Sequence, residues 1–176
     1  SAQGRAGHGS MINSENAVTS VSQAVSRIGS YKWPVRITET LRIFLSKVAA
    51  SLGMEFDENN PDPVVTELGP IARMVGATTQ NTANPTMLQA GYKENVIPQE
   101  ARAVIDGRFL PGYEEEFIAT ITQLAGENVK VTPIIHDVAL EFPFSGSLVE
   151  AMKSAITDVD PDGIPVPYVM SGGTDN

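Results

Sequence analysis

From position 17 the chain repeats apolar residues at three- and four-residue steps: Ala17, Val18, Val21, Ala24, Val25 and Ile28. That spacing places them on one face of a helix. Asn13 or Ser14 is positioned to cap its start, Glu15 stands where the helix dipole favours an anion, and Gly29 stops it. After Pro34 a second amphipathic stretch runs through Ile37, Leu41, Phe44, Leu45, Val48 and Leu52, closed by Gly53. Residues 57–62, DENNPD, read as an acidic loop. Pro63 opens a third, short helix with Val64, Val65, Leu68, Ile71, Ala72 and Val75 on its apolar side.

Beyond Gly76 the pattern changes from helical to alternating. Strands are expected near residues 86–92 and 101–110, joined by a loop at 93–99. In the second, Ala101, Ala103, Ile105 and Phe109 alternate with Arg102, Val104, Asp106 and Arg108, so one face is apolar and the other mixed. A helix over residues 113–124 begins with Glu114, Glu115 and Glu116, carries Phe117, Ile118, Ile121 and Leu124, and ends at Gly126. A further strand is expected over 129–138. If the residues before Gly7 close one more strand, the order is strand, helical section, two strands, helix, strand. That is an α+β, ferredoxin-like βαββαβ arrangement: an antiparallel sheet with helices on one face.

Residues 139–176 fit that domain poorly. They offer one helix (Leu148, Val149, Met152, Ile156), an apolar strand (Val166, Tyr168, Val169, Met170) and a glycine turn. A lone helix and strand cannot make a core. They are therefore expected to belong to a second domain, with the division at residues 1–138 and 139–176.

Charge narrows the partners. Lys plus Arg number 12 and Asp plus Glu 21, a net charge of −9 over 176 residues. That balance opposes phosphate backbones and anionic membranes, so neither nucleic acid nor membrane is an expected partner. No apolar run reaches the roughly 18 residues of a membrane span. The absence of cysteine excludes disulfides and thiolate metal sites and fits a reducing compartment, so a cytoplasmic protein is expected. The two histidines, His8 and His136, sit in unrelated contexts without metal-ligand spacing, so no complete zinc site is expected within this chain.

The candidate chemistry is sparse. His8 lies in GRAGHGS; read alone, it is a surface-turn histidine. Asn95 read alone closes a turn at 93–98. Arg108 is a strand-end arginine with Asp106 or a nearby Glu as partner. Glu114–Glu116 read as a solvated helix start and His136 as structural. SGGTDN, residues 171–176, lacks the lysine and the spaced second glycine of a P-loop.

Taken together, GRAGHGSMINSENAV, NVIPQEARAVIDGRFLPG and PVPYVMSGGTDN, in this order and at these separations, resemble the two-zinc metallopeptidases: the family of aminoacylase, peptidase T, succinyl-diaminopimelate desuccinylase and glutamate carboxypeptidase. The resemblance covers nearly the whole chain. It implies an α/β catalytic domain holding two bridged zinc ions, with a smaller βαββαβ lid and dimerisation domain inserted into it. Residues 1–138 would be that lid, and residues 139–176 a fragment of the catalytic domain. Every metal ligand would lie outside this chain, so the intact enzyme would hold two zinc ions and this fragment none. Alone, it would be inactive. A homodimer through the lid and a peptide or N-acyl amino-acid substrate are implied as well.

The same resemblance assigns residues. His8 matches a histidine that reaches into the partner subunit's active site and binds the scissile carbonyl and its oxyanion. An imidazole N–H suits that task, and the glycines around it would let the backbone turn tightly and leave room for substrate. Asn95 matches an asparagine that gives substrate polar contacts. Arg108 matches the arginine that grips a substrate carboxylate, for which a guanidinium fork is well shaped. Gly172, Gly173 and Thr174 match a turn whose backbone N–H groups meet substrate oxygens. The rival reading is a stand-alone ferredoxin-like dimerisation or small-ligand-binding module without catalysis, because such sheets host many functions.

Overall fold

The computed structural model describes residues 1–172. It divides into two compact units. One comprises Ser1–Trp33 with Asn81–Val138, the other Pro34–Gln80 with Ala139–Asn176. Residues 34–80, read from the sequence together with the lid, group with residues 139–176 instead.

The first unit is α+β. Strand β1 (Ala2–Gln3), β3 (Thr82–Ala90) and β5 (Glu100–Arg108) form an antiparallel sheet in the order β1-β5-β3. A second, two-stranded ladder joins β2 (Gly7–His8) to β4 (Val96–Ile97). Helix α1 (Ala17–Ser30) buries Ala17, Val21, Ala24 and Ile28, the face expected from the spacing. Its cap is Asn16, not Asn13 or Ser14: the Asn16 side-chain oxygen accepts from the N–H groups of Val18 (2.9 Å) and Thr19 (3.2 Å). Asn13 instead makes a turn of its own, accepting from Glu15 N–H at 2.9 Å and donating to Arg5 O at 2.6 Å. Glu15 thus precedes the helix.

Helix α5 (Glu114–Ala125) buries Phe117, Ile121 and Ala125. Its last carbonyls, which a helix cannot satisfy internally, are met from α1: Arg27 Nε donates to Leu124 O at 2.6 Å and Nη2 to Ala125 O at 2.9 Å. Ile28, Trp33, Ala83, Phe117 and Ile121 form one buried cluster, with Ile105 and Phe109 against it. The Trp33 ring stacks on Phe117 at 4.9 Å. Ala2, Ala17, Val21 and Ala101 form another. Both helices therefore cover the same face of the sheet, the apolar side of β5 anticipated from its alternation.

The expected strand over 129–138 does not form. Only Lys130 pairs with the sheet, exchanging two backbone bonds with Ser1 (2.9 and 2.8 Å) beside β1. Pro133 removes a donor from that run, and a two-residue β1 offers little edge to pair with. The position beside β1 is where a fourth strand of a ferredoxin-like sheet would lie; it is reduced to one residue pair.

The second unit is helical. Helix α2 (Glu39–Leu52) is capped by Thr38 and closed by Gly53 in the left-handed conformation (φ 68°). The expected third helix is broken into α3 (Asp62–Glu67), a 3₁₀ turn (Gly69–Ile71) and α4 (Ala72–Gly76). Gly69, at φ 56°, and Pro70 interrupt it. Leu41, Phe44, Leu45, Ala49, Val64, Val65 and Val75 are buried together. Helix α6 (Ser147–Val159) forms as expected but buries none of its residues. Residues 166–170 are not a strand. Val166 and Val169 pack on the helical core, and Tyr168 meets the Phe44 ring edge-on at 5.8 Å. Among the described residues, no helix is long and apolar enough to cross a membrane.

Candidate functional site

The local pairing of β2 with β4 builds the site. Gly7 stands opposite Ile97 and His8 opposite Val96, and Gly9 N–H donates to Asn95 O at 2.8 Å. The ladder therefore carries His8 and Asn95 to the same end, although 87 residues separate them. The Asn95 side-chain nitrogen lies 3.3 Å from His8 Nε2. Both side chains are exposed to solvent.

The other ring nitrogen is engaged by Ser10, whose backbone N–H donates to Nδ1 at 3.3 Å and whose Oγ lies 2.8 Å from it. A backbone N–H has no rotational choice, so a nitrogen that accepts from it bears no proton in the neutral ring. When Nδ1 accepts from that N–H, the proton sits on Nε2. In that tautomer the imidazole N–H and the Asn95 amide N–H are neighbouring donors, and an oxygen set against both receives two hydrogen bonds. In the opposite tautomer Nδ1–H would be given to the Ser10 hydroxyl and Nε2 would accept from Asn95. Nothing in the sequence pattern singles out Ser10 beyond its place two positions after a histidine.

Gly9 lies in the tight turn closed by Met11 N–H donating to His8 O at 3.0 Å. Neither Gly7 nor Gly9 has a positive φ, and a Cβ on Gly7 would touch nothing within 4 Å. Gly4 is the constrained one. A Cβ there would lie 2.2 Å from Glu15 O and 2.7 Å from Ala17 N, because the chain before β2 passes directly beneath the start of α1.

Arg108 is not brought to this pair. It closes β5 opposite Thr82, eight residues beyond Glu100, which is roughly 26 Å along an extended strand. Its guanidinium is held by Asp106, Nε to Oδ1 at 2.7 Å and Nη2 to Oδ2 at 3.0 Å. That contact raises the Arg108 pKa and holds the Asp106 carboxyl below the usual carboxylate range, in both cases chiefly through the hydrogen bond between them. His136 pairs with Glu114 at 2.5 Å, at the start of α5. Gly172 is exposed, in a bend at the end of the second unit. Gly173 and Thr174 lie outside the described residues. Among the described residues, no group of three or more His, Asp or Glu side chains could hold a metal ion.

Residues 1–132 match the family model of the peptidase dimerisation domain. Probable carboxypeptidase S-like 2 from Dictyostelium discoideum is 28% identical over 178 residues, covering 96% of this chain and 34% of that protein. The chain thus spans about a third of the length of this curated relative. No solved structure matches. With that family model covering most of its length, the chain belongs to the peptidase dimerisation domain family.

Proposed function

We propose that this chain is the dimerisation and lid part of a metal-dependent hydrolase of peptide or N-acyl amino-acid amide bonds. Its metal ions, two zinc ions by the family resemblance, would be held by parts of the protein outside residues 1–176. The observation that carries the reading is the His8–Asn95 pair, whose side-chain nitrogens Nε2 and Nδ2 lie 3.3 Å apart on a short ladder; in the Nε2–H tautomer they are two neighbouring donors. Donors set against one oxygen stabilise the charge that develops on a carbonyl as its amide is attacked. Exposed as they are, they act in high dielectric and contribute little; covered by another surface, the same donors contribute far more. A second copy of the chain supplies such a cover, which agrees with membership of a dimerisation family. Arg108 serves a substrate carboxylate in this reading only if Asp106 shares or releases it, and the Gly172–Thr174 turn would add backbone donors.

The test separates the parts. The full-length protein should hydrolyse N-acetyl amino acids and lose that activity on chelation. The 176-residue chain with added zinc should hydrolyse none. Turnover by the isolated chain would overturn the assignment of the metal site to the rest of the protein.

A further inference from the structure

The turn that follows His8 leads into two bare apolar side chains. Met11 is 63% exposed and Ile12 fully so. Tyr92, 84% exposed, stands at the same end, in the loop leading to Asn95. The tip is not a loose end. Met11 N–H donates to His8 O at 3.0 Å, Asn13 is tied to Arg5 O at 2.6 Å and to Glu15 N–H at 2.9 Å, and Arg5 N–H donates to Glu15 O at 2.8 Å. A backbone held at this many points presents the two side chains in one place, Ile12 wholly in solvent and Met11 mostly so. Rigid display of apolar groups in water is unfavourable on its own and makes sense beside a ligand that covers them.

From this we infer that Met11 and Ile12 are the specificity contact for an apolar substituent flanking the cleaved bond. The inference rests on the reading of His8 as the donor to the scissile carbonyl. Met11 is hydrogen-bonded to His8 itself and Ile12 follows it, with Cα atoms about 3.8 Å apart. A carbonyl oxygen seated on His8 Nε2 and Asn95 Nδ2 therefore brings the groups attached to it to this tip. Neither side chain has a polar atom beyond the thioether, so the group they select is apolar: an aliphatic acyl chain or an aliphatic amino-acid side chain, not a carboxylate or an ammonium.

In the full-length enzyme, N-acetylglycine, N-hexanoylglycine and N-acetyl-L-leucine separate the possibilities. For Ile12→Ser, kcat/KM for at least one apolar probe, taken relative to N-acetylglycine, should fall about tenfold, mostly through KM, and Ile12→Val should restore most of it. Ile12 is fully exposed, so the substitution does not endanger folding. Unaltered ratios for both apolar probes, with His8→Ala lowering kcat, overturn the specificity role alone. Unaltered ratios together with a weakened dimer in light scattering assign the tip to contact between subunits and likewise overturn it. A His8→Ala enzyme with full kcat overturns the underlying reading instead.

Discussion

Arg108 and Asp106 form a two-pronged ion pair across one turn of the pleat, with Nε–Oδ1 at 2.7 Å and Nη2–Oδ2 at 3.0 Å, on the solvent side of β5. The pair is half exposed, with side-chain accessibilities of 51% and 45%, so its contribution to stability is under about 1 kcal/mol. The sign follows from Asp106, whose carboxyl pKa is depressed in the folded chain by the Arg108 hydrogen bond. The contribution is present above the unfolded carboxyl pKa of about 3.9 and is lost as pH falls below it. Asp106→Asn should therefore lie slightly below the parent in urea unfolding at neutral pH, and the gap should narrow as pH falls through the depressed folded value. An equal gap throughout would mean that the substitution acts through packing, not charge.

Gly4 should be the least replaceable glycine of the opening stretch. A methyl there meets backbone, Glu15 O at 2.2 Å and Ala17 N at 2.7 Å, and backbone cannot swing aside as a side-chain tip can. Gly4→Ala is expected to cost about 2 kcal/mol or more, with α1 displaced from β1. Gly7→Ala, with open space at the same atom, should fall within about 0.5 kcal/mol of the parent. Chemical unfolding of both variants checks the contrast, and equal losses would refute the steric account.

Strand β3 is an edge, interrupted by Pro85 and a bulge between Pro85 and Met87 but carrying no charge. From Asn84 to Ala90 every residue is exposed, the strand TANPTMLQA has no charged residue, and Met87 and Leu88 project from it half bare. Such an edge is a template for pairing with another chain. If the dimer forms there, Leu88→Lys should weaken it by about tenfold or more, seen as a shift toward monomer in light scattering at micromolar concentration, with the helix content retained. A dimer as tight as the parent's would place the seam elsewhere.

The parts of the fold legible in the sequence were those whose pattern is local. The face of α1, the αL stop at Gly53, the alternation of β5 and the apolar side of α5 all follow from neighbours three, four or two positions apart. What was misread depends on distant partners. Residues 129–138 and 166–170 have strand-like composition, yet a strand exists only where an edge is offered. The first meets a two-residue β1 and the second meets helices. The cap of α1 shifted from Asn13 to Asn16 because Asn13 is drawn to Arg5 O, in a segment that the sequence pattern does not connect to it. At the site, the resemblance pointed to His8 and Asn95 separately. Their contact, and the role of Ser10 in setting the ring, come from the β2–β4 register, which two-residue strands do not announce in sequence.

That register couples His8 to Asn95. If His8 Nε2 and Asn95 Nδ2 donate to one oxygen as charge develops on it, removing either should lower kcat in the full-length enzyme more than it raises KM. His8→Ala should cost about 10²–10³ in kcat. Once His8 is gone, the geometry that made Asn95 a second donor is gone as well, so the double variant should lose less than the product of the single losses. Ser10→Ala should cost much less than His8→Ala, because the backbone N–H that holds Nδ1 survives the substitution while only the hydroxyl contact at 2.8 Å is lost. Strictly multiplicative losses at His8 and Asn95 would show that the two contact separate parts of the substrate, and would remove the shared-oxygen account while leaving each residue a role of its own.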